Sequence, residues 1–69
     1  METLSQKFGY VVFAATGCDH HGRRSVFAVG DEREVRNEVN SHGWKFADVQ
    51  IREADDLAEN LLAEARKLA

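Results

Sequence analysis

Phe8-Gly9-Tyr10-Val11-Val12-Phe13-Ala14-Ala15-Thr16 is the stretch that decides the fold. It is rich in aromatic and β-branched residues, which favour extended chain. Tyr10, Val12 and Ala14 fall on one alternating face, and Val11, Phe13 and Ala15 on the other. A strand apolar on both faces belongs in the middle of its sheet. Residues 8–16 are therefore predicted to form a central strand.

On the C-terminal side, Gly17-Cys18-Asp19-His20-His21-Gly22-Arg23-Arg24 is polar, holds two glycines, and reads as a turn. Ser25-Val26-Phe27-Ala28-Val29 is a second short strand, so the first two strands are expected to pair as a hairpin. Asp31 then offers an N-cap, with Glu34 at the capping-box spacing. The helix it opens runs to about His42 and is expected to end at Gly43 as a C′ glycine. Its apolar face is thin, consisting of Val35, Val39 and the ring of His42.

Trp44 to Arg52 reads as a third strand with broken alternation. Trp44 and Phe46 share one parity, while Val49 and Ile51 share the other. Either a β-bulge lies near Ala47-Asp48 or the two ends pack on different sides. In the last helix, capped by Asp55 or Asp56, Leu57, Leu61, Ala65 and Leu68 lie on one stripe. Its acids gather at the start and Arg66-Lys67 at the end, as the helix dipole favours.

The element order β-β-α-β-α, with a right-handed crossover from strand two to strand three, places strand three beside strand one. The expected architecture is a small α+β domain. It has a three-stranded antiparallel sheet in the order 2-1-3, and helices packed mainly on one face. The rival arrangement has one helix on each face. Residues 1–69 form a single domain, with residues 1–6 read as a disordered N-terminus.

Size and charge narrow the function. A chain of 69 residues buries only about 60% of its unfolded surface. Lys and Arg number 9 against 12 Asp and Glu, too acidic a balance for strong non-specific binding to nucleic acid or anionic lipid. Cys18 is the single cysteine, so no internal disulfide is possible. Met1 to Lys7 has no apolar core of a signal peptide. Together these suggest a reducing, cytoplasmic setting. No apolar run is long enough to cross a bilayer, and no membrane association is expected.

Chemistry is weakly signalled. Cys18, Asp19, His20 and His21 are all capable of ligating zinc, but the two-residue spacer of loop ligands is missing. Cys18 with His20 or His21 has the types for nucleophilic catalysis but no oriented third group. Asp55, Asp56, Glu59 and Glu64 read as a solvated helix start and polar face. No catalytic, cofactor or metal residue is assigned. Phosphate-binding glycine loops are absent.

The plan of two strands, a helix, a strand and a helix in so short a chain resembles small accessory proteins of phages and mobile elements. Inhibitors that occlude a larger host complex, the anti-CRISPR proteins among them, are of this kind. The likeness lies in size and element order and carries no functional residue over.

The expected function is a non-enzymatic interaction protein, an inhibitor or regulator of a larger protein complex. An apolar sheet face left uncovered by one layer of helices would be its interface. Tyr10, Phe13, Trp44 and Phe46 are the candidate anchors, with Arg23 and Arg24 as charged contacts at the hairpin tip. The same apolar surplus makes a homodimer a companion expectation. The alternative is a nucleic-acid-binding module that uses the loop arginines and sheet aromatics, helped by Lys45 and Arg52 if they line one edge.

Overall fold

The computed structural model describes residues 2–69. Met1, part of the segment read as disordered, lies outside the described residues. The elements are α1 (Leu4–Phe8), β1 (Phe13–Cys18), β2 (Arg24–Gly30), α2 (Glu32–His42), β3 (Ala47–Glu53) and α3 (Glu59–Leu68). Short 3₁₀ turns occupy Gly43–Lys45 and Ala54–Asp56. The strands form one antiparallel sheet in the order β2-β1-β3, with the twofold-apolar strand in the centre as predicted.

The N-terminus departs from expectation. Residues 4–8 form a helix instead of a disordered tail and a strand start, and β1 begins at Phe13. Thr3 and Gln6 make a reciprocal capping box, and Gly9 at φ 77° ends the helix in the left-handed conformation. Helices this short do not persist alone. Here the carboxylate of Asp55 accepts the N–H groups of Leu4 at 2.9 Å and Ser5 at 3.3 Å, and Leu4 is only 3% exposed. The capping signal was present in the sequence, but its tertiary partner lay fifty residues away.

The helices also divide between the two faces rather than sharing one. On one face Leu4 of α1, Leu57 just before α3, and Leu62 and Ala65 of α3 pack against Val12, Ala14 and Val26. On the other, α2 packs Val35 and Val39 against Ala15, Ala28, Phe13 and Phe27. Because β1 is apolar on both faces, each face needs cover, and α2 and α3 supply it separately. Among the described residues both faces of β1 are covered, so the surface first expected to form the interface is largely consumed.

Two bulges adjust the pairing. Ala15 pairs with Ala28 while Thr16 pairs with Val26, leaving Phe27 as the extra residue of β2. The bulge turns Phe27 and Ala28 toward the same face, under α2. Between Thr16 and Cys18 the β3 partner jumps from Gln50 to Ala47, and Asp48 takes φ 51°. This is the irregularity that the broken alternation around Ala47-Asp48 predicted.

The hairpin closes as a three-residue loop. The N–H of Gly22 donates to the C=O of Asp19, the N–H of Asp19 donates to the C=O of Arg23, and Gly22 sits at φ 77°. Asp31 caps α2 by accepting the Glu34 N–H at 2.8 Å. Gly43 is right-handed rather than a left-handed stop, and the chain continues into a 3₁₀ turn. Its lack of a side chain serves close packing, since a Cβ there would lie 3.2 Å from Val39 Cγ1. Neither Asp55 nor Asp56 caps α3, whose N-cap is Ala58.

Candidate functional site

Three of the six candidate contacts are committed to the fold. Phe13 packs beneath α2 with Ala15 and Ala28. Phe46 stacks on Phe27 with ring centroids 4.4 Å apart and planes 7° from parallel. Arg24 lies across the sheet from β2 to β3. Its Nη1 donates to Thr16 Oγ1 at 3.0 Å and to the C=O of Asp48 at 3.1 Å, and its Nη2 pairs with the Asp48 carboxylate. Thr16, buried in the middle strand, thus has its hydroxyl bonded, and Arg24 acts as a clasp rather than a free charge.

Tyr10, Trp44 and Arg23 remain exposed. They do not form one patch. Tyr10 lies before β1, 5.9 Å from the ring of Phe8. Trp44 lies at the other end of the sheet, where Cys18 pairs with both Arg24 and Ala47. The length of β1 between those ends is about 17 Å at the usual strand rise. Arg23 is at the hairpin tip, on the Trp44 end.

Trp44 is the largest exposed apolar side chain, at 78%. It is nevertheless held. Its Nε1–H donates to the C=O of Ser41 at 3.1 Å, and the Lys45 ammonium sits 5.5 Å from the ring centroid. The 3₁₀ turn that presents it is anchored by the seating of Phe46 over Gly17. A cation on an aromatic face beside the last turn of α2 makes an amphipathic knob tethered through the indole N–H.

The hairpin loop uses its acid structurally. Asp19 Oδ1 accepts the N–H groups of His21 at 2.9 Å and Arg23 at 3.0 Å. The Arg23 N–H is the main cause holding this carboxyl below its ordinary value of 3.8. The His20 and His21 rings lie 4.0 Å apart, tilted by 43°. Among the described residues, no three His, Cys, Asp or Glu side chains gather where they could hold a metal ion. Cys18 is half-buried at the end of β1.

Lys45 and Arg52 stand at opposite ends of β3. Lys45 precedes β3, and Arg52 sits opposite Ala14 near its far end. With Arg24 paired to Asp48 as well, the basic surface imagined for a nucleic acid is divided.

The sequence reading did not single out the outer edge of β3. Every β3 residue except Val49 is exposed, and Ile51 is 37% accessible. The alternation in Asp48-Val49-Gln50-Ile51-Arg52 was the signal available. It was obscured by placing Trp44 in the strand.

No protein-family model matches this chain, and no curated protein or solved structure is significantly similar to it. Among the described residues, no helix is long and apolar enough to cross a membrane.

Proposed function

We propose that this chain is a non-enzymatic interaction protein, an inhibitor or regulator that binds a larger protein, with Trp44 as its anchor. The observation that carries the reading is the combination of 78% exposure with a fixed position in Trp44. A rigid exposed tryptophan gains contact area on binding at little entropic cost, and tryptophan is among the residues that dominate interface energetics. Arg23 supplies a charged contact at the same end of the sheet. The resemblance in size to small inhibitors of phages and mobile elements supports the inhibitor half of this reading. The single thiol fits a reducing, cytoplasmic compartment.

The test uses the intrinsic probe, since Trp44 is the only tryptophan. Wild type and Trp44→Ala are immobilised and exposed to a native extract, and the captured protein is purified and titrated. Binding is expected to shift Trp44 emission to the blue. Trp44→Ala is expected to weaken binding about 30-fold without lowering the melting temperature. Equal capture by both forms refutes the anchor. Binding of a labelled oligonucleotide that falls steeply with salt would favour the nucleic-acid alternative.

A further inference from the structure

The outer edge of β3 carries an inference independent of Trp44. In the order β2-β1-β3 two edges are available. The β2 edge is flanked by α3, and the Glu64 carboxylate accepts the Val26 N–H at 3.0 Å. Over β3 there is no such cover, and its residues are exposed along nearly the whole strand.

The hydrogen-bond phase shows which groups of β3 face outward. Ala54 N–H donates to the C=O of Val12 at 2.9 Å, so Ala54 points inward. Antiparallel alternation then turns Arg52 and Gln50, opposite Ala14 and Thr16, inward as well. Val49, Ile51 and Glu53 direct their backbone N–H and C=O groups away from the sheet.

We propose that this edge pairs with β3 of a second copy, antiparallel, about a twofold axis at Gln50. A twofold interface sets residue i against j and j against i. With the axis at Gln50, Val49 faces Ile51 of the second copy on the α2 side of the sheet. Asp48 faces Arg52 of the second copy on the side that carries Arg24. Val49 thus meets Ile51 and Asp48 meets Arg52, while Glu53 falls opposite Ala47. Asp48 binds Arg24 through Oδ2, which leaves Oδ1 for the second arginine. An axis at Ile51 sets Val49 against Glu53, and an axis at Arg52 sets two guanidinium groups face to face. Of these three axes, the one at Gln50 sets Arg52 against an acid.

Charges and bulges are common defences of an open edge. Here the bulge at Asp48 ends the regular ladder, so backbone pairing about Gln50 spans residues 49–51, and Asp48 meets Arg52 of the second copy through side chains at its margin. The product is a six-stranded sheet with the two β3 strands at its centre. An interface this narrow is below standard size, so dissociation constants on the order of micromolar to tens of micromolar are expected.

Sedimentation of the full chain across that range tests the pairing directly. A concentration-dependent rise from 7.8 kDa toward twice that mass supports it, and a monomer at about 100 μM refutes it. Arg52→Glu sets carboxylates together at both symmetric positions and is expected to weaken the dimer about tenfold or more. Register is read by oxidation in a Cys18→Ser background. Gln50→Cys, on the axis, is expected to cross-link, and Arg52→Cys is not. Equal cross-linking of both, or of neither while a dimer persists, overturns the proposed register. None of these outcomes bears on whether Trp44 binds another protein.

Discussion

Gly17→Ala tests how tightly the α2 face is closed. A Cβ on Gly17 would lie 2.5 Å from Phe46 Cβ, 3.1 Å from its Cγ and 3.4 Å from Phe27 Cε1. The nearest of these atoms is fixed to the backbone of residue 46, so no side-chain rotation relieves the contact. Phe46 must retreat, and its stack on Phe27 opens. Overpacking of this kind costs about 1–3 kcal/mol, and the stacked pair is worth about 0.5–1.5 kcal/mol more. The stiffer unfolded chain returns about 0.5–1 kcal/mol. The expected net loss is about 0.5–4 kcal/mol and centred near 2, a large share of the roughly 3–5 kcal/mol that a core of this size supplies. Thermal unfolding followed by circular dichroism should show a melting temperature lower by about 10–20 °C. Phe46→Ala keeps the colliding Cβ, and Phe46→Gly removes it. The Gly17→Ala penalty should therefore largely survive in the first background and fall below about 0.5 kcal/mol in the second. Sucrose in all samples keeps the doubly substituted chains measurable. If Gly17→Ala melts with the wild type, the close approach of Phe46 is wrong.

Asp55 should make the domain acid-sensitive. Burial raises its carboxyl, but the Ser5 hydroxyl, the N–H groups of Leu4 and Ser5, and the charge of Arg66 together hold it below 3.8. A lowered folded value stabilises above the unfolded value, and this contribution is lost as pH falls through the folded one. Asp55→Ala is expected to cost about 1 kcal/mol at neutral pH as a lost helix cap, and urea titrations should show the gap from wild type closing below about pH 4. A constant gap at all pH values would contradict the capping role. Arg24→Ala should destabilise by about 1.5–3 kcal/mol, since a charged donor is lost from Thr16 and Asp48. Arg24→Lys should recover little of it, because one ammonium cannot reproduce the fork. An Arg24→Ala protein as stable as wild type would return this residue to the surface.

What was legible in the sequence was what depends on neighbours along the chain. The central strand showed itself through apolar residues at both parities, the hairpin through Asp19 and Gly22, the α2 cap through Asp31, and the bulge through the broken alternation after Phe46. What escaped depends on partners far apart in sequence. Thr3-Leu4-Ser5-Gln6 needs Asp55 to complete a helix too short to stand alone, whereas along the chain Asp55 or Asp56 reads as the cap of α3. Likewise Arg24 looked free until Asp48, across the sheet, supplied its counter-ion. Trp44 is exposed, while Phe13 and Phe46 are drawn inward because α2 and α3 take opposite faces.

The bond between the N-terminal helix and Asp55 gives the chain a temporal order. During synthesis Leu4 and Ser5 are added about fifty residues before Asp55. At about 5–20 residues per second, the first helix waits several seconds for the carboxylate that caps it. Until then the apolar side of residues 4–12 has no lasting cover, and the sheet lacks its third strand. The domain can close only when Asp55 has emerged, so the first helix and the segment after β3 mature together, as a buckle fastened last.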